Sequence, residues 1–286
     1  MRLCKVEGDD GGVRVGLLEG DHIRFVGLAE DAAAVSLSDL LHAADPKGAV
    51  ERLLHPQSPV VPLEKVRLLA PLDRQEVWAA GVTYKRSREA RERESVGAAR
   101  FYDLVYNAAR PELFFKATPN RVVGPGQAVR VRRDSQWSVP EPEVALVLSP
   151  DLKLVGYTIG NDMSARDIEG ENPLYLPQAK IYDGCCALGP AITLVHAFPA
   201  LDQVSIHLTI KRDAKIAFEG TTSLSAMDRS FEDLITWLGK ENSFPQGAVL
   251  LTGTGIVPPD HFSLAPGDLV TIEVAGIGTL VNPVAS

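Results

Sequence analysis

At 286 residues, 45% of them apolar and 23% charged, the chain is long enough for one large domain or a small one beside a larger one, each with a sizeable core. The formal net charge of -8 argues against a nucleic-acid partner, because neutralising phosphates takes a basic face. Cys4, Cys185 and Cys186 make neither a disulfide framework nor a zinc spacing, the N-terminus lacks a signal peptide's apolar core, and no apolar run nears the roughly 20 residues of a membrane helix, so a soluble, reduced, cytoplasmic protein is expected.

Residues 1 to 28 alternate apolar and polar side chains between glycine and acid turns, which predicts two or three antiparallel strands. From Ser38 to Leu54 the spacing of Leu40, Leu41, Ala44, Val50, Leu53 and Leu54 predicts helical turns interrupted near Pro46. A proline-marked stretch from His55 to Pro71, with a short strand around Val60, marks a soft boundary. We expect a small N-terminal α+β domain over residues 1–72 and a larger one over residues 73–286.

Tyr84 to Ala99 is the most charged segment, with Arg88 and Glu92, and Glu89 and Arg93, spaced four apart as on a surface helix. The same segment can serve as a lid whose first residues, Tyr84, Arg86 and Ser87, bring anion-binding groups over a site. Pro111 to Ala117 is apolar up to Lys116, and Arg130, Arg132 and Arg133 decorate an expected strand with Val129 and Val131. Another strand follows from Ser138 to Leu148. Pro142 within it has no N–H to give a ladder, which puts this part at an edge, a bulge or a strand end.

That strand carries Glu141 and Glu143, which at i and i+2 project side by side. Two carboxylates that close repel, and they need a cation, a shared proton or open water. A divalent ion of the magnesium class, which takes oxygen ligands, fits best. The next strand, from Leu154 to Ile159, ends in Gly160-Asn161-Asp162. Taken singly, a solvated edge accounts for the two glutamates and a helix N-cap for Asp162. The histidines shift that balance: none lies between residues 56 and 195, so a His-rich zinc site or a local Ser-His-Asp triad has no material here.

Asn172 to Pro190 lacks periodicity and is dense in proline and aromatics, which predicts a long ordered loop walling a site. Lys180 in it is either a surface lysine or, beside three carboxylates, a counter-charge or substrate ligand. Strands are expected over Ala191–Val195 and Val204–Lys211, the latter holding His207 as a strand residue. A helix capped by Ser230 follows, with Phe231, Leu234, Ile235 and Leu238 as its apolar stripe. Val249 to Leu251 runs into Thr252-Gly253-Thr254-Gly255, which is no dinucleotide fingerprint because no helix pattern follows it. Pro266-Gly267-Asp268 turns into the last strands.

Several of these pieces stand in a telling order: Phe-Phe-Lys at 114–116, Glu-Pro-Glu at 141–143, Gly-Asn-Asp-Met-Ser-Ala-Arg-Asp at 160–167, Lys180, Leu-Gly-Pro at 188–190, Thr-Gly-Thr-Gly at 252–255 and Pro-Gly-Asp at 266–268. In that order they resemble the fumarylacetoacetate hydrolase family, over roughly residues 73 to 286. The resemblance implies a mixed, mainly β fold with a β-sandwich or β-roll catalytic domain, a homodimer, and magnesium or manganese held by Glu141, Glu143 and Asp162. It also implies Lys180 and Thr254 as substrate contacts.

Hydrolases of this family typically carry a Tyr-x-x-His motif whose histidine helps activate water. The corresponding stretch here is Tyr84-Lys85-Arg86-Ser87, with serine in the histidine's place. Together with the stretch from Glu169 to Gln178, this is similar to the branch that dehydrates 2-keto-3-deoxy sugar acids. The chemistry needs no hydrolytic water: a 2-keto acid chelating the metal is polarised, loses a C3 proton to give an enolate, and expels the C4 hydroxyl. A pentonate would end as 2,5-dioxopentanoate. Lys180 or Glu171 is the expected proton carrier, with Arg86, Ser87 and Thr254 holding carboxylate or hydroxyl groups. A C–C hydrolase or decarboxylase of a 2,4-diketo acid is the nearer alternative, and a non-catalytic sugar-acid binding protein the more distant one.

Overall fold

The computed structural model describes residues 1–8, 11–27, 35–84 and 108–286. The charged segment from Tyr84 to Ala99 lies outside them apart from Tyr84 itself. Three antiparallel strands open the chain, β1 (Arg2–Glu7), β2 (Val13–Glu19) and β3 (His22–Phe25), as the alternation predicts. Two helices follow, Leu37–Leu41 and Pro46–Leu53. The break falls at Pro46, which has no N–H to continue the first helix and is preset to start the second. Ser36 and Asp39 close a capping box on the first, and Asp45 caps the second by accepting from the Gly48 N–H. β4 (Val60–Pro62) and β5 (Arg67–Leu69) lie along the proline-marked stretch.

The rest of the chain supplies β6 (Glu76–Gly81), β7 (Glu112–Ala117), β8 (Val122–Val123), β9 (Val129–Arg130) and β10 (Ser138–Val139). β11 (Pro142–Leu148), β12 (Leu154–Asp162), β13 (Ser164–Ala165) and β14 (Cys186–Leu194) come next. β15 (Ser205–Arg212), β16 (Lys215–Ser223), β17 (Ala248–Leu251), β18 (Leu269–Val274) and β19 (Gly278–Ala285) complete the series. Among the described residues they form a large mixed sheet in the order β4, β3, β2, β1, β14, β12, β11, β17, β6, β7, with β5 beside β1 and β8 beside β14. A five-stranded sheet runs β16, β15, β18, β19, β9, and β10 pairs with β13. The protein is mainly β.

One core joins the two sheets, with Val144, Leu146 and Ile159 of the large sheet clustered with Ile206, Leu208 and Ile272 of the smaller. β15 alternates as a one-sided strand should, Ile206, Leu208 and Ile210 being buried while His207 and Thr209 are partly exposed. β11 and β14 show no alternation because they are buried on both faces. Their second face packs elsewhere: Val147, Ile192 and Leu194 against the helix residues Leu40, Leu41 and Val50, and Ala145 and Leu188 against Val249 and Leu251.

Three expectations change in detail. The stretch from Asn172 to Pro190 is not a loop: it holds a 3-10 turn at Pro173–Tyr175, a short helix at Leu176–Lys180 and the start of β14. The prolines sit where helical turns begin, and the two-sided burial of β14 erases its period. The expected strand from Ser138 to Leu148 is split at Pro140-Glu141, and Pro142 is indeed a strand end. Of the arginine-decorated strand only Val129 and Arg130 pair, while Arg132 turns back to Asp134.

The Pro-Gly-Asp turn explains itself physically. Gly267 has φ +93°, which side chains other than glycine's rarely adopt. Asp268 is buried, accepts from the Ala265 N–H, and receives two Arg212 N–H donors at 2.7 Å each. Asp268→Asn leaves one of those donors facing an amide, so a loss on the order of 1–3 kcal/mol is expected. Urea unfolding of the two proteins checks it.

Candidate metal and substrate site

Glu141 stands just before β11 and Glu143 is its second residue, so the pair straddles Pro142. The Glu141 carbonyl accepts the Asp162 N–H at 3.0 Å, and Glu143 is paired with Gly160, which brings the end of β12 beside the start of β11. Asp162 is thus a strand residue, and the cap of the following helix, Arg166–Glu171, is Ala165. Glu141, Glu143 and Asp162 are all buried and offer carboxylate oxygens within 4.8 Å of one another.

Two lysines and an arginine meet these acids. Lys180 Nζ lies 2.6 Å from Glu141 Oε2, 3.1 Å from Asp162 Oδ2 and 2.6 Å from Ser164 Oγ. Arg166 Nη1 donates to Glu141 Oε1 at 3.1 Å. Lys116 Nζ is in ionic contact with Asp162 Oδ1 at 2.5 Å. Burial, the largest single influence, would lower the Lys116 pKa, but the Asp162 carboxylate together with Cys185 and Cys186 outweighs it and the ammonium is held above its ordinary range. Among the described residues Glu143 is paired with no such ammonium, although it feels the Lys180 charge. It accepts the Gly253 N–H at 2.5 Å, yet burial first, and then the charges of Asp162 and Glu141, push its pKa well above the usual carboxylate range. Gly253 has φ +89°, and a side chain there would run into Thr83 Oγ1.

The acids line a narrow cleft. Its described lining includes five carboxyl residues, Glu112, Glu141, Glu143, Asp162 and Glu169, against two cations, Arg166 and Lys180. An all-oxygen donor set short of positive charge suits a hard divalent cation.

Of the residues picked out from sequence, Glu141, Glu143, Asp162, Lys180 and Thr254 line this one cleft. Tyr84 is buried beside it, its ring against Gly255 and its phenol pKa raised by burial and by the Glu143 charge. Glu171 is exposed at the end of its helix and is not among the lining residues, whereas Glu169, two residues earlier, is buried in the cleft wall. Arg86 and Ser87 lie outside the described residues. Glu112, Arg166 and Glu169 were not assigned from sequence. The signal for Glu112 is the strand period, which puts Glu112, Phe114 and Lys116 on one face of β7.

This geometry belongs to a known family. Residues 76–285 match the model described as "Fumarylacetoacetate (FAA) hydrolase C-terminal", and the chain is a member of that family. The chain is 50% identical over 216 residues to the Haloferax volcanii protein named "Probable 2-keto-3-deoxyxylonate dehydratase", covering 76% of this chain and 74% of that one. It is 46% identical over 225 residues to the 2-dehydro-3-deoxy-D-arabinonate dehydratase of Saccharolobus solfataricus, covering 78% and 76%. A solved structure of 2-keto-3-deoxy-D-arabinonate dehydratase complexed with magnesium and 2,5-dioxopentanoate superposes with a TM-score of 0.83 at 37% identity, covering 99% of this chain and 98% of that one.

Glu143→Gln keeps an acceptor for the Gly253 N–H and removes one of three facing charges. The metal-free variant is expected to melt above the metal-free parent, at about 2–4 °C for each kcal/mol relieved. It is also expected to lose any melting-temperature gain that a divalent cation gives the parent. Thermal melts with chelator and with magnesium check both.

Proposed function

We propose that this chain is a magnesium-dependent dehydratase of a 2-keto-3-deoxy sugar acid, converting a pentonate to 2,5-dioxopentanoate. The observation that carries the reading is the buried Glu141, Glu143 and Asp162 set with Lys180 bridging two of its members. It is supported by the names borne by relatives at 50% and 46% identity. Glu141, Glu143 and Asp162 would hold the ion; manganese has the same hard-oxygen preference. When bound, it supplies Lewis acidity that polarises a 2-keto acid's carbonyl and makes its C3 protons more acidic.

The chain's own groups do the rest. We assign the C3 proton to Lys180 acting as a neutral amine, one ammonium proton having first been released to solvent, in preference to the exposed Glu171; its Nζ reaches Glu141, Asp162 and Ser164. Glu112 and Glu169, on the same cleft wall, are the acids available to give a proton to the departing C4 hydroxyl, so that water leaves. A proton shift from C5 then turns the unsaturated product into the 5-aldehyde. Tyr84, Thr254, Arg86 and Ser87 remain the proposed contacts to substrate oxygens. Nothing in this sequence of proton transfers needs a hydrolytic base. The same reading makes the protein a cytoplasmic homodimer of sugar-acid catabolism, with a small domain over residues 1–72 and the catalytic one over 73–286, on the strength of the family resemblance. Sedimentation at twice the chain mass is the expected result.

Incubation with 2-keto-3-deoxypentonates and magnesium should yield 2,5-dioxopentanoate, and chelator should stop it. Lys180→Met should lower kcat by about 10²–10⁴-fold, and Glu141→Gln should lose metal-dependent turnover. Release of pyruvate from an acylpyruvate, without dehydration of any keto-deoxy acid, would sink the assignment.

A further inference from the structure

Lys116 is wholly buried at the end of β7, outside the cleft lining. Its ammonium contacts Asp162 Oδ1 at 2.5 Å and donates to the carbonyls of Met163 at 2.9 Å and Lys180 at 2.5 Å. Two of its protons go to those carbonyls, and the Asp162 contact is an ionic one. The Tyr182 ring centroid lies 5.8 Å from Nζ on another side. A charge taken this far from water costs several kcal/mol before pairing, and an apolar side chain of similar volume fills such space more cheaply. Stability is therefore a poor account of why a lysine stands here.

The three partners suggest the better account. One is a carboxylate of the triad, one is the residue that follows it, and one is the backbone of the lysine that faces it. Asp162 meets Lys116 through Oδ1 and Lys180 through Oδ2. With a cation on each oxygen, the carboxylate is held in rotation. The same ammonium ties the turn after β12 to the end of the helix Leu176–Lys180 through the backbone, beside the link that the Lys180 side chain makes to Asp162 and Ser164.

We propose that Lys116 is a positioning residue for the metal site, setting the orientation of the Asp162 carboxylate and the distance between Asp162 and Lys180. This rests on the metal reading given above. Partners one step behind a metal ligand typically contribute 10–100-fold to metal affinity. Lys116 does so from behind the wall, without touching substrate.

The test is calorimetric titration of magnesium into metal-free protein, for the parent, Lys116→Met and Lys116→Gln, with folding checked by circular dichroism and thermal melts. The glutamine amide retains N–H donors for the two carbonyls and lacks the charge, so it serves where the methionine variant does not fold. We expect the magnesium Kd to rise about 10–100-fold in a folded variant. Turnover at saturating magnesium should fall further in Lys116→Met than in Lys116→Gln, because only the latter still ties Lys180. A folded variant whose melting temperature drops while its magnesium Kd stays within threefold of the parent's overturns the proposal and leaves Lys116 a structural residue. A parent that binds no magnesium overturns the metal reading itself, a result distinct from the first because it appears before any variant is made.

Discussion

Three carboxylates facing one another in a dry cleft repel, and the catalytic half of this fold is arranged around that repulsion. Taking one charged carboxylate out of water is costly, and a second and third with oxygens within 4.8 Å raise the cost further. The fold answers with cations placed on different sides: Lys180 across the cleft, Arg166 on the outer oxygen of Glu141 and Lys116 behind Asp162. Glu143 is the member left, among the described residues, with only a backbone donor, and burial with its acidic neighbours raises its pKa. Proteins do not keep such a shortage for stability's sake. It is what a site looks like when part of its positive charge arrives from outside.

The acids and the Gly253 donor come from well-separated places in the chain, yet Glu112, Glu141, Glu143, Asp162 and Gly253 each sit on or beside a strand of the large sheet, while Arg166, Glu169 and Lys180 come from the two short helices that follow. β7, β11 and β12 carry Glu112, Glu143 and Asp162 directly, and the Gly253 N–H follows the end of β17. A rigid sheet buried on both faces holds side chains to tighter tolerances than loops do, which suits the close geometry a metal and a chelating substrate require. Gly253 shows how closely the backbone is packed there, since its positive φ and contact with Thr83 leave room for no side chain.

Much of this was legible in the sequence because it rests on local rules. The side-by-side glutamates follow from the period of a strand, the Ser230 cap and the apolar stripe after it from helix geometry, and the break at Pro46 from a missing N–H. Asp162 could be read as a helix cap because the residues after it do begin a helix, only three positions later than the cap rule would put it. The stretch before Pro190 lost its pattern to burial on both faces, a property of its neighbours and not of its own residues. Glu169 and Glu171 differ by two positions on a short helix; which one faces inward depends on the angle at which that helix leaves β13, and no local signal carries it. Glu112 and Arg166 are likewise single charged residues whose meaning appears only when distant strands meet.

The cleft's floor has a long reach along the chain. β6 lies parallel to β17, and the Thr83 hydroxyl closes on the Thr252 carbonyl 169 residues away. Parallel pairings of this span form late, since the entropy of closing so large a loop is spent before the contact returns anything. During synthesis the acids of β11 and β12 are therefore made, and can pair with each other, well before β17 exists to supply the Gly253 donor or to seal the face behind them. A nascent chain holds an open, acidic half-site for as long as it takes to translate roughly a third of the protein. Ion affinity is then a property the chain acquires in stages, and the last stage waits for its final strands.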